Sequence, residues 1–127
     1  MKFITLLGRV FYSAIFLMSA PAHFKAGTIA YATGAGVPMA KILVPVSGVI
    51  AILGGLSVLL GYKAKCGAWL IVIFLVPVSL TMHKFWGIPD PMAAQMQMIH
   101  FMKNVSMLGA ALLITQLGSG PASLSPE

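Results

Sequence analysis

Residues 42–82 read "ILVPVSGVIAILGGLSVLLGYKAKCGAWLIVIFLVPVSLTM", and this stretch decides the fold. Two apolar runs, 42–62 and 66–82, flank a tight basic connection at Lys63, Ala64 and Lys65. A membrane-spanning helix needs about 20 predominantly apolar residues. Both runs come close to that length, and neither carries a charge.

Working outward, "FITLLGRVFYSAIFLMSA" at 3–20 forms a third apolar run, broken only by Arg9, and 95–117 forms a fourth. The expectation is an all-α, integral membrane four-helix bundle occupying 1–127 as a single transmembrane domain. Lys2, the apolar core that follows and "SAPA" also resemble a secretory signal peptide, but Arg9 lies inside the apolar run, which favours a retained span. Between the first two spans, "PAHFKAGTIAYATGAGVPMAK" is too long for a structureless loop, so a short interfacial helix is expected near 27–33. Residues 85–92, "FWGIPDPM", read as a Pro-rich loop with Trp86 at headgroup level. The tail, 118–127, is small, polar and expected to be flexible.

Composition agrees with a bilayer setting. Of 127 residues 59% are hydrophobic and 8% charged, against roughly 25% charged in soluble domains. The net charge of +6 is scattered beside apolar runs rather than gathered among aromatics, so it indicates anchoring to anionic lipid and not nucleic-acid binding. Cys66 is the only cysteine, which excludes an internal disulfide, a CxxC dithiol and a thiolate metal cage; it reads as a small buried apolar residue. No metal site is expected. Ser47, Ala51 and Gly55 share one helix face and Gly109 lies on the fourth span, marking surfaces where helix backbones can approach closely.

The fourth run contains the polar residues that need explaining. Gln97, His100, Asn104, Met107 or Leu108, and Ala111 fall on one helical stripe, with Lys103 about 60° aside. An unpaired lysine deep in a bilayer costs roughly 2.5 to 3.5 kcal/mol. Snorkelling to the headgroups is the plain structural explanation. The alternative is an inward polar pocket made with His83 and Lys84 at the end of the third run and, if tilt allows, Arg9 from the opposite side. Asp90 lies in a loop and Glu127 in the tail, so no carboxylate lies within an apolar run. Such a donor set favours an anion or a carbonyl or quinone oxygen over a cation. His83 and His100 would also be the candidate axial ligands of a haem.

The segments "LLGRVFYSAIFLMSAPAHFKA", "ILGGLSVLLGYKAKCGAWLIVIFLVPVSLTMHKFW" and "HFMKNVSMLGAALLI" resemble the DoxX family of small four-helix membrane proteins. That resemblance implies a link to quinone-coupled membrane oxidoreductases and redox partners, and it places the family's polar positions on Arg9, Lys25, His83, Lys103 and Asn104. It departs at Ala51, where family members often carry a glutamate. The resulting expectation is a component of a quinone-linked oxidoreductase in a bacterial-type inner (cytoplasmic) membrane. Arg9, His83, His100, Lys103 and Asn104 would contact a quinone or an anionic substrate. No intrinsic cofactor motif is present, so electrons would come from a partner protein. Both termini are placed in the cytoplasm, because the "YKAKC" turn is short and doubly basic. The alternative is a non-catalytic accessory or anchoring subunit, supported by the small-residue faces and nine methionines; a small-anion transporter ranks behind both. Membrane lipid and a homo-oligomeric copy complete the expected partners.

Overall fold

A computed structural model describes residues 2–121, 123 and 124. Its α-helices are α1 (Lys2–Ser19), α2 (Ala26–Gly34), α3 (Ala40–Leu60), α4 (Ala64–Met82) and α5 (Pro91–Leu117). A 3-10 turn, Ala20–Phe24, prolongs α1, so that Phe3–Phe24, α3, α4 and α5 are the four segments long and apolar enough to cross a membrane. The all-α, four-span architecture expected from the apolar runs is the one found. Polar backbone groups inside hydrocarbon need internal partners, which a helix supplies by itself.

Close backbone contact holds the spans together. A Cβ on Gly54 would lie 2.8 Å from Ile71 Cγ1 and 3.0 Å from the Gly67 carbonyl oxygen; a Cβ on Gly67 would collide with Ser57. So α3 and α4 touch at these two glycines, as is usual where lipid removes the hydrophobic drive between helices. The small residues of α3 serve several neighbours rather than one face: Gly55 abuts Phe16 and Leu17 of α1, Gly48 lies beneath His23 and Phe24, and Ala51 is fully buried. Ser47 faces a cavity instead, and Gly109 of α5 has open space around it. The packing seam read from Ser47, Ala51, Gly55 and Gly109 is thus divided. The glycines that fill the tightest contacts are Gly54 and Gly67.

The core comprises Phe16, Ala51, Val58, Ile71, Phe74, Leu75 and Ala111. Phe16 meets Tyr12 and Phe74 edge-on, at centroid distances of 5.3 and 6.3 Å. The Tyr12 hydroxyl donates to the Met107 carbonyl at 2.7 Å, tying α1 to α5. Cys66 is exposed on α4, contrary to the buried role read from the sequence, because the buried positions of that turn are taken by Ala64, Gly67 and Ala68.

The α3–α4 connection is built for tightness. Gly61 adopts φ 70° and Lys63 φ 50°, both left-handed, while Ser57 Oγ lies 2.6 Å from the Tyr62 carbonyl oxygen and 3.1 Å from that of Lys63. At the other connection, α5 starts at Pro91, earlier than the 95 read from the sequence. Asp90 Oδ1 accepts the Met92 N–H at 3.3 Å, and proline at the first helical position needs no hydrogen-bond partner for its nitrogen. The 27 residues of α5 extend about 40 Å, beyond the ~30 Å of hydrocarbon.

The described tail residues fold back over the Lys63 end of the bundle. The Leu124 N–H donates to the Leu60 carbonyl at 3.0 Å, and the Ser119 and Ser123 hydroxyls are 3.1 Å apart. The remainder of the tail expected to be flexible, Ala122 and 125–127, lies outside the described residues.

Candidate functional site

The polar stripe of α5 turns inward. Asn104 is 5% exposed, Ala111 is fully buried, and Gln97, His100, Met107 and Leu108 are half-buried. Asn104 and Lys103 join His83 and His23 in lining a compartment of about 160 Å³ between α1, α4 and α5. Lys103 itself is exposed and stands at the rim. α5 is longer than the hydrocarbon is thick, so part of it stands beyond the apolar layer, and an exposed lysine lowers the cost of staying charged by extending its ammonium along its own stem toward water.

His83 is held by a relay. Gln97 Nε2 donates to the Tyr31 hydroxyl at 3.3 Å, which leaves Gln97 Oε1 to accept from His83 Nδ1–H at 3.0 Å. The chain of bonds runs from α2 through α5 to the end of α4, and leaves Nε2 as the ring's remaining polar atom. Burial pushes the His83 pKa below its usual value; the bond to Gln97 opposes this, while the charges of His100 and Lys103 add to it. The folded environment therefore favours the neutral ring more than water does. His100 stacks on His83 with centroids 5.1 Å apart and planes tilted 31°. With centroids 5.1 Å apart the two imidazoles lie against one another, so as placed they are not set apart as the axial pair of a haem. Among the described residues, no group of three or more His, Cys, Asp or Glu is placed to hold a metal ion.

Arg9 does not belong to this group. It is 5% exposed and lies at the opposite end of the bundle, donating from Nη1 to the Leu59 carbonyl at 3.4 Å and from Nη2 to the Pro121 carbonyl at 3.2 Å. α1 starts from the membrane side where α3 ends, and residue 9 lies too few turns along it to reach His83. Its charge meets the carbonyl end of α3, where a helix dipole favours a cation. Lys25 is exposed and marks the start of α2, away from the compartment.

His23 is the residue the sequence reading missed, because it stood in a segment read as a connection. The 3-10 turn that extends α1 places its ring 5.5 Å from Phe74, and Nδ1–H donates to the Ser19 carbonyl at 3.2 Å. Pro21, which suits the first turn of a helix, is the sequence signal that the span continues past Ser19.

A second, larger cavity of about 460 Å³ lies between α2, α3 and α4 on the same side of the membrane as His83. Val44, Ser47, Pro77 and Met82 contribute to its walls, and His23, Phe74, Val78 and His83 line both cavities.

A family profile described as DoxX matches residues 4–84, which covers α1 through His83 and Lys84; Lys103 and Asn104 lie beyond the matched stretch. The Inner membrane protein YphA of Escherichia coli (strain K12) is similar, at 30% identity over 98 residues, or 77% of this chain and 69% of the relative. No solved structure matches. The profile match spans three of the four membrane helices, and the resemblance to the relative extends over more than two thirds of both proteins: the chain belongs to the DoxX family.

Proposed function

We propose that the protein is the membrane component of a quinone-linked oxidoreductase system of a bacterial inner membrane, with both termini on the cytoplasmic side. The observation that carries this reading is the small compartment, where a neutral imidazole, a buried carboxamide and an ammonium converge on one space without an opposing carboxylate. The Asn104 side chain makes no hydrogen bond to another described residue, so its amide is available to a ligand oxygen. A quinone taking up two electrons and two protons develops negative charge on its oxygens. Lys103 offsets that charge, Asn104 orients the ring, and His83 Nε2, unprotonated in this tautomer, takes each of the two protons from water and hands it to a quinone oxygen. The electrons come from a partner protein.

Extraction of the protein purified in mild detergent tests the reading: bound quinone is expected, and Lys103→Met is expected to lower its occupancy about tenfold, the loss of one charge-assisted hydrogen bond. Protein free of quinone, with quinone reduction in the assembled system unchanged by Lys103→Met, refutes it.

The second reading, a non-catalytic subunit that anchors a larger complex, is favoured by α5. Its outer face presents Met98, Met102, Val105 and an uncovered Gly109. A partner retained by the Lys103→Met variant with undiminished activity supports this role over the first.

A further inference from the structure

The compartment beside Lys103 and Asn104 is too small for a whole membrane ligand. Small-molecule sites usually enclose about 300 to 1,000 Å³, and this one encloses about 160 Å³. A ring carrying polar substituents fits there; a chain attached to it must leave. A second space adjoins the small compartment along the four residues common to both cavities. His23, Phe74, Val78 and His83 form the partition between the small compartment and the 460 Å³ cavity.

The larger cavity suits an apolar chain despite the hydroxyls in its wall. Ser47 Oγ donates to the Val44 carbonyl at 2.6 Å, and Thr81 Oγ1 to the Pro77 carbonyl at 2.7 Å, so both hydrogens are turned back onto their own helices. Thr28 adds one hydroxyl without such a bond; otherwise the wall away from the partition is methyl, methylene and ring surface, with Val44, Ile50, Phe74, Pro77 and Met82 contributing most clearly. Polar character is concentrated at the partition. There His23 and His83 each commit Nδ1–H to an oxygen, of Ser19 and of Gln97, and each keeps Nε2.

From this shared wall, and resting on the quinone reading above, we infer that the two cavities are one site for an amphipathic ligand. Its oxygen-bearing ring lies against Lys103 and Asn104, and its linear isoprenoid or alkyl tail lies between α2, α3 and α4. The junction of ring and tail crosses the partition, which makes His23, and not Arg9, the residue that completes the site with His83. A headless acyl chain filling the larger cavity alone would leave the small compartment unused.

The experiment compares two quinones on the full-length protein in detergent: a substituted benzoquinone without a tail, and the same ring bearing a decyl chain. Because a decyl chain is as comfortable in a micelle as in the cavity, blocking the cavity acts by exclusion. Ser47→Phe is expected to weaken the decyl compound at least about tenfold, the cost of overfilling a packed space, and to leave the tail-less ring within about twofold. Thr81→Leu, a smaller intrusion into the same wall, gives a weaker effect in the same direction and serves where Ser47→Phe fails to fold. His23→Phe keeps the ring against Phe74, removes Nε2, and is expected to weaken both compounds. Equal binding of the decyl compound by wild type and both cavity variants, with Lys103→Met weakening both quinones, overturns the joined site and leaves the head site standing. Binding of neither quinone, or binding insensitive to Lys103→Met, overturns the quinone reading itself.

Discussion

Arg9 separates two accounts of this family position, one in which it contacts the ligand and one in which it secures the far end of the bundle. Replacing it with methionine keeps most of the apolar stem and removes the guanidinium. At least two charge-assisted bonds are lost, to the Leu59 and Pro121 carbonyls, both at the long end of the hydrogen-bond range at 3.4 and 3.2 Å. Hydrogen bonds to charged groups contribute about 1.5 to 3 kcal/mol each, and the long geometry points to the lower figure, or about 3 kcal/mol for the pair. Removing a buried cation also removes its desolvation cost, which offsets part of this. A net loss of about 2 kcal/mol is expected, which corresponds to a fall in melting temperature of roughly 6 to 10 °C for a domain of this size. Because Pro121 lies in the tail, the same change should free the C-terminus to proteolysis at concentrations that leave the wild type intact. Quinone occupancy should be unchanged, since Arg9 and His83 lie at opposite ends of the bundle. Thermal unfolding followed by tryptophan fluorescence and limited digestion followed by intact mass check both parts. Loss of ligand with an unchanged melting temperature and an uncut tail would place Arg9 in the binding site and refute the separation.

Other changes probe the remaining contacts. Gly61→Ala should destabilise by about 1 to 2 kcal/mol in thermal unfolding, because Gly61 sits at φ 70° and its added Cβ would meet Arg9 and Ser123. Lys63→Gly should instead stabilise by up to about 1 kcal/mol, since a left-handed residue at φ 50° is relieved of its Cβ while the turn survives. Tyr12→Phe removes the 2.7 Å bond to the Met107 carbonyl and should cost about 1 kcal/mol in the same assay. For His83 the lowered pKa sets the sign: below the ordinary value of 6.5 the unfolded chain binds the proton more readily than the folded one. Its contribution is complete above pH 6.5 and is lost as the pH falls from there toward the lower folded value. Melting temperatures measured between pH 7.5 and 5 should fall less in His83→Gln than in the wild type.

The parts of this molecule legible in its sequence are those set by hydrocarbon. Uncharged runs such as 42–62 leave a chain little choice in a bilayer, and the 3.6-residue repeat through Gln97, His100, Asn104 and Ala111 is enough to tell which face of α5 turns inward. The α5 start is readable in Asp90 followed by Pro91, a helix-opening pair, but the neighbouring Pro89 gives the same segment the composition of a loop. His23 depended on whether a span continues through Pro21, a choice between local conformations that apolar periodicity does not decide. The partition of Gly48, Gly54 and Gly55 among three neighbours was hidden because a small residue announces closeness without naming its partner. The bonds that tie Leu124 to Leu60 and Arg9 to Pro121 are equally invisible to composition, which sees only that the tail is polar.

The Gly54–Gly67 contact also has a mechanical meaning. It lies near the tight α3–α4 turn, while the larger cavity opens between the far ends of the same two helices, so the pair behaves as a pair of levers with a shared pivot. From Gly54 to the cavity wall near Val44 is about 15 Å of helix, and a rotation of about 5° at the pivot moves that wall by more than 1 Å. Bulk added at the glycines would therefore be felt as a change in the width of a mouth several turns away, with no side chain in the mouth altered.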